Sequence, residues 1–226
     1  MTTYKDKTGE FLRYILPPKD RIYWSPDQDY DSNHVIFRSL IIYGSPGSGK
    51  TEIARKITEE AVKAYGEENV NASITTSEYP LMMLGDVLDS KDIQILVFDD
   101  ATLQNIKKHS IRGFFQIRNI WKEKTKKNKG FILAMFITHR FHGLTTEFRT
   151  NADAIIWKSA PFNKYDVQVV KSYLGDSGVK ALRTIEYKRI SNPYWNSVSV
   201  FCTKVGIKGL LQLPLATKNY LREYKG

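Results

Sequence analysis

The sequence predicts an α/β fold: a mostly parallel central sheet flanked by helices, with a small C-terminal extension. Three observations carry the prediction. Continuous apolar runs at Val35 to Tyr43, Ile93 to Phe98 and Phe131 to Thr138 have the composition of strands buried on both faces. Stretches of helical periodicity, Glu52 to Tyr65 and Ser110 to Lys122, lie between them. Strands that alternate with helices are joined by crossovers, and crossovers leave neighbouring strands parallel.

Taken in order, the chain up to about Asn33 is rich in Pro, Asp and Tyr, as in Pro17-Pro18 and Trp24-Ser25-Pro26, and reads as an extended, irregular arm. The first core strand, Val35 to Tyr43, runs into a glycine-rich turn. Ile53, Ile57, Ala61 and Ala64 then share one face of a helix that Gly66 stops. Ala72 to Thr75 is a short strand and Pro80 to Leu88 a short helix. Ile93 to Phe98 is a buried strand that ends on two acids. In the next helix Phe114, Ile117, Ile120 and Trp121 fall on one face. A basic loop, Lys124 to Gly130, leads into the strand Phe131 to Thr138, and Ala154 to Trp157 is a further short strand. Beyond it come helices at Lys164 to Leu174 and Gly178 to Lys188, a strand at Val198 to Thr203 and a terminal helix near Ala216 to Tyr224. The expected organisation is an arm over 1–34, a core over 35–160 and an extension packed on the core over 161–226.

Composition narrows the class of protein. With 226 residues, 42% hydrophobic and 26% charged, the chain has the make-up of a globular domain large enough to bury a core. Its 34 Lys and Arg against 24 Asp and Glu give a net charge of +10. That excess suits a polyanionic partner, nucleic acid first, or else a solvated basic surface. The lone Cys202 has no internal disulfide partner and reads as a small apolar strand residue, which points to a reducing compartment. Met1 to Glu10 is polar, and no apolar run approaches the roughly 20 residues of a membrane span. A soluble, cytoplasmic protein with no membrane partner is the expectation.

Chemistry concentrates at the end of the first strand. Gly44-Ser45-Pro46-Gly47-Ser48-Gly49-Lys50-Thr51 has the Walker A spacing, in which glycines let backbone N–H groups close around phosphate oxygens. Lys50 is placed to reach the β and γ phosphates, and Thr51 to offer its hydroxyl to Mg²⁺. The helix that follows brings its positive end to the anion. Val97-Phe98-Asp99-Asp100 supplies the matching acid: Asp99 is the magnesium residue, and Asp100 stands where a carboxylate orients the attacking water. ATP and Mg²⁺ are therefore the expected ligands. Phe131 to Thr138 ends in Thr138-His139-Arg140, and either Thr138 or His139 is a candidate sensor of the γ phosphate. Arg149, in competition with Arg140, is a candidate to stabilise transition-state charge; the alternative for each is a surface ion pair.

These residues resemble the additive-strand P-loop ATPases, in particular the HerA/FtsK group and its viral DNA-packaging members. The resemblance covers roughly Val35 to Lys158. It rests on the strand end Ile137-Thr138-His139, followed about ten residues on by Arg149-Thr150-Asn151 and the apolar strand Ala154-Ile155-Ile156-Trp157. His139 stands where that group usually has glutamine, and Asp100 where glutamate is common. Gly44-Ser45-Pro46-Gly47 also resembles AAA+ ATPases, in which Lys164 to Lys188 would be a helical lid. The first resemblance implies an ATP-hydrolysing, ring-forming translocase or genome-packaging motor on DNA, virus- or plasmid-encoded. The second implies a replication initiator or helicase loader switched by ATP. A small-molecule kinase shares the glycine loop, but the chain has no obvious arginine-rich lid motif.

Between the two acids and the sensor strand, Lys124, Lys126, Lys127 and Lys129 crowd one loop. They are the candidates for contact with the DNA backbone, without sequence readout, against the alternative of a solvated turn. Lys107-Lys108-His109 is a weaker patch. Trp24 and Tyr30 are read as packing the arm rather than stacking on a base.

Overall fold

The structure, a computed structural model, describes residues 4–23, 34–76, 84–99, 108–139, 144–161 and 163–224; for residue 34 and residues 108–115 it describes the backbone alone. The elements are helices α1 (Thr8–Ile15) and α2 (Lys19–Tyr23), strand β1 (His34–Tyr43), α3 (Lys50–Tyr65), β2 (Val70–Thr75), α4 (Leu84–Val87), β3 (Ile93–Phe98), α5 (Lys108–Thr125), β4 (Lys129–Thr138), α6 (Thr146–Asn151), β5 (Ala154–Trp157), α7 (Lys164–Ser191), β6 (Val198–Thr203), β7 (Lys208–Gln212) and β8 (Arg222–Glu223), with 3-10 turns at Glu67–Asn69 and Pro193–Ser197.

The described strands form one sheet of eight in the order β7-β6-β5-β1-β4-β3-β2-β8. From β5 through β8 the neighbours are parallel, and β6 runs antiparallel to both β5 and β7. β1 and β4 pair along their whole length, from His34 opposite Lys129 to Tyr43 opposite Thr138. The apolar runs are continuous because both faces of the sheet are covered. Ile41, Tyr43, Leu96, Phe98, Ala134, Phe136 and Trp157 pack against α5, α6 and α7. Their strand neighbours Leu40, Ile42, Ile95, Val97, Leu133, Met135 and Ile156 pack against α1, α2 and α3. In α3 the buried face takes in Ile53, Ile57 and Ala61 as the periodicity predicts, but it turns toward Val62 and Tyr65 and leaves Ala64 exposed.

Three segments differ from the sequence expectation. The N-terminal arm carries two helices, α1 and α2, among its described residues. Asp6 Oδ1 accepts the Thr8 N–H at 2.9 Å, and Phe11 and Ile15, one helical turn apart, are fully buried. Phe11 meets Phe201 of β6 edge-on, with ring centroids 4.8 Å apart. The expected C-terminal helix, Ala216 to Tyr224, is absent because its polar groups bond to other elements. The Glu59 carboxylate accepts from the Thr217 N–H and hydroxyl, and Tyr224 N–H donates to Ile74 O at 2.9 Å. Lys56 and Thr217 hold that Glu59 carboxyl down to about 2. The third difference concerns residues 164–188, a lid in the AAA+ resemblance. Here they lie on the sheet, with Val170, Leu174, Val179, Leu182 and Ile185 in the core. The predicted break between two helices falls at Gly175, where φ is 72°. β6 and β7 then extend the central sheet. Among the described residues no helix is long and apolar enough to cross a membrane.

Candidate active site

In a parallel sheet the C-terminal ends of adjacent strands form the crevice where ligands bind. Here the ends of β1, β3, β4 and β5 converge on the glycine loop. Gly47 and Gly49 have φ of 71° and 85°, a left-handed backbone that turns successive N–H groups inward as an anion cradle. Lys50 begins the 16-residue α3, so the positive end of the helix faces the same space. At Gly44 a Cβ would lie 2.5 Å from Ser48 Oγ and 2.9 Å from Lys158 Cβ, so the neck of the loop has no room for a side chain. The Ser48 hydroxyl is buried with no hydrogen-bond partner among the described residues.

Lys50 is 5% exposed and its ammonium donates to Ser45 O at 2.9 Å and to His139 Nδ1, also at 2.9 Å. The same Nδ1 lies 3.3 Å from Gly44 O, so the imidazole faces both the lysine and the neck of the loop. Thr138, 1% exposed, accepts the Gly44 N–H through its backbone carbonyl at 3.2 Å. The end of β4 is therefore in direct contact with both the loop and its lysine. Thr51 Oγ1 donates to Asp99 Oδ2 at 3.1 Å, and Asp99 N–H donates to Thr75 O at 2.9 Å. A hydroxyl and a carboxylate side by side at the mouth of an anion cradle are the hard oxygen donors that magnesium prefers. The residues present fit a magnesium-bound triphosphate: Thr51 and Asp99 would hold the metal, and the loop N–H groups and Lys50 the phosphates.

Other sequence candidates fall elsewhere. Asp100 and Arg140 lie outside the described residues, as do Lys107, Trp24 and Tyr30. Arg149 sits in α6, before the N-terminal end of β5 and away from the loop. Its guanidinium donates to Leu144 O at 2.6 Å and Thr146 Oγ1 at 3.3 Å, beside a cavity of about 310 Å³ that Tyr173, Lys204 and Lys208 also line. The lysine loop precedes β4, so the full length of that strand, roughly 30 Å, separates it from the glycine loop. Lys124 donates to Gly85 O and Leu88 O, and Lys127 to Ser90 O and the Asp92 carboxylate, so these two tie α5 to its neighbours. Lys126, exposed and with φ 59°, and Lys129 make no such side-chain hydrogen bond among the described residues. Cys202 is 6% exposed, and burial pushes its thiol up to about 12, as suits an unreactive core residue.

Sequence reasoning missed three residues here: Lys158 and Ser159 at the loop and, behind them, Arg189. Lys158 and Ser159, each 2% exposed, follow β5 and lie against the loop, and Ser159 Oγ accepts the Ser45 N–H at 2.8 Å. Burial, reinforced by the Arg189 guanidinium, pulls the Lys158 ammonium down to about 7. The signal was a lysine at the C-terminal end of a core strand, a place that polar residues occupy when they line the crevice.

No protein-family model and no curated protein matches the chain. Solved structures do resemble it. The genome packaging NTPase B204 from Sulfolobus turreted icosahedral virus 2, in complex with sulfate, is 11% identical and superposes with a TM-score of 0.55 over 79% of this chain and 97% of that one. The same protein in complex with AMPPCP gives a TM-score of 0.55, with 79% and 98% covered and 11% identity. The DNA-packaging ATPase B204 from Sulfolobus turreted icosahedral virus gives 0.53 at 10% identity, with 78% and 98% covered. Such low identity speaks for the fold. In this chain β4 is an additional strand inserted between β1, which carries the glycine loop, and β3, which carries Asp99. The chain has the additive-strand P-loop NTPase fold.

Proposed function

We propose that the chain is an ATP-hydrolysing motor acting on DNA, a translocase or genome-packaging ATPase that works as a homo-oligomeric ring. The observation that carries this reading is the Thr51–Asp99 contact at 3.1 Å at the mouth of a glycine cradle. Its fold, shared with a genome packaging NTPase across almost all of that protein, and its charge of +10 point to the DNA-handling branch. Magnesium, when bound, neutralises charge on the β and γ phosphates. Lys50 leaves Ser45 O and His139 to meet the γ phosphate, Asp99 and Thr51 hold the metal's shell, and Asp100 orients the attacking water. Thr138 or His139 reports the state of the γ phosphate to β4. Arg149 acts on the nucleotide of a neighbouring subunit, since in its own chain it lies at the opposite end of β5. A viral or replication protein is the further partner in this reading.

The test is hydrolysis measured with and without DNA, on wild type and Lys50→Ala, with mass measured in the presence of nucleotide. Hydrolysis that DNA stimulates, that Lys50→Ala abolishes, and that accompanies a ring-sized mass is the expected result. Wild-type hydrolysis indifferent to DNA removes the motor reading.

The basic loop gives a second expectation. Because Lys124 and Lys127 are committed to carbonyls and Asp92, Lys126 and Lys129 are the pair to make phosphate contacts. Removing two such contacts lowers the slope of log K against log salt by about 2. Lys126→Ala with Lys129→Ala is expected to show that drop in a DNA-binding titration, and an unchanged slope takes the loop out of the interface.

A further inference from the structure

We propose that Lys158, Ser159 and Arg189 form a strut that holds the glycine loop in its phosphate-ready shape and links it to residues 192–198, with Arg189 as the positioning residue. The inference rests on the nucleotide reading above and extends it to a part of the chain that the reading does not use.

The strut begins at the loop. Both ends of the cradle rest on the two residues after β5: a Cβ at Gly44 would be 2.9 Å from Lys158 Cβ, and one at Gly49 would be 3.6 Å from Lys158 Cε. Between them, the Ser45 N–H is held by Ser159 Oγ at 2.8 Å. The Ser45 carbonyl is also where Lys50 Nζ is parked, at 2.9 Å. The orientation of Ser45 therefore sets both the entry of the loop and the resting place of its lysine.

Arg189, on the last turn of α7, secures the other end. Its guanidinium reaches three backbone carbonyls at once: Nη1 donates to Lys158 O, Nε to Trp195 O at 3.0 Å and Nη2 to Val198 O at 2.7 Å. A planar fork with five donors spans three such acceptors; the single ammonium of a lysine does not. Lys158 Nζ closes the circuit by donating to Asn196 O. The 3-10 turn at Pro193–Ser197 is thus bound to the back of the glycine loop through the half-buried guanidinium of Arg189 and the buried ammonium of Lys158. When Lys50 departs from Ser45 O for a phosphate, the change passes from Ser45 to Ser159, and from the loop glycines to Lys158 and Asn196.

The experiment uses the full chain as wild type, Ser159→Ala and Arg189→Lys. Each is titrated with a non-hydrolysable ATP analogue and followed by hydrogen–deuterium exchange, with thermal midpoints taken without nucleotide and KM and kcat taken with ATP. In wild type the analogue slows amide exchange across 192–198. Ser159→Ala, which leaves one half-buried N–H without its acceptor, weakens the analogue about tenfold and raises KM more than it lowers kcat, with the thermal midpoint lowered by no more than about 4 °C. Arg189→Lys loses the nucleotide-dependent protection at 192–198. Because Ser159→Ala leaves the α7 end intact, it tests the strut even if Arg189→Lys is unstable. Wild type that binds the analogue, alongside variants that bind it within twofold and keep the protection, overturns the strut alone. Wild type that binds no analogue overturns the strut and the nucleotide reading together.

Discussion

Asp99→Asn is expected to lower ATP hydrolysis by about 10² to 10³-fold while leaving the fold intact. Asparagine keeps a carbonyl oxygen to accept from Thr51 Oγ1, so the 3.1 Å contact survives and the backbone bond to Thr75 O is untouched. What disappears is the negative charge that anchors the metal. A catalytic metal supplies several kcal/mol of charge stabilisation at the transition state, and about 3–4 kcal/mol of that corresponds to the loss given. Nucleotide binding without magnesium should change little, because the loop N–H groups and Lys50 are all still present. The checks are steady-state hydrolysis across a magnesium titration and a melting curve. A variant that hydrolyses within twofold of wild type at low magnesium would take Asp99 out of the site.

The heart of the fold was legible because burial on both faces of a parallel sheet leaves a strong mark. Val35 to Tyr43, Ile93 to Phe98 and Phe131 to Thr138 have no polar alternation to confuse with a half-exposed strand. Strand order was not legible. β4 lies next to β1 although β2 and β3 come between them in the chain, and nothing local in Phe131 to Thr138 announces that neighbour. The chain ends failed for a related reason. Ala216 to Tyr224 has acceptable helix formers, but Glu59 and Ile74, far away in sequence, offer its N–H groups better partners.

The site divides in the same way. Local spacing exposed Gly44 to Thr51 and Asp99, because a phosphate cradle and its metal acid are each written in a few consecutive residues. Lys158, Ser159 and Arg189 carry no such spacing; Lys158 and Ser159 meet the loop only because β5 pairs with β1, and Arg189 meets Lys158 only because α7 returns across the sheet. The lysine loop shows the opposite error of emphasis. Its density of charge was visible, but not that Lys124 and Lys127 spend their donors on Gly85, Leu88, Ser90 and Asp92.

Phe11→Ala is expected to destabilise the protein by about 3–5 kcal/mol, the range for emptying a fully buried aromatic site. Phe11 has no exposed surface, and its edge-on contact with Phe201 is a main tie between α1 and the face of β6. The cavity cannot collapse easily, since Ile15 beside it is also fully buried and the residues leading into α1 are held by backbone bonds: Lys7 N–H to Leu210 O at 3.0 Å and Leu210 N–H to Lys5 O at 2.8 Å. For a domain of this size each kcal/mol moves the thermal midpoint by about 2–4 °C, so a fall of roughly 6–20 °C should appear in a melting curve. The substitution lies in the core on the α3 face of the sheet, against Phe201 of β6, so nucleotide affinity measured well below the midpoint should hold. A fall under about 2 °C would mean that the arm does not pack on β6. A large fall accompanied by lost nucleotide binding would mean that α1 supports the loop through the sheet, not merely the edge that β6 and β7 add to it.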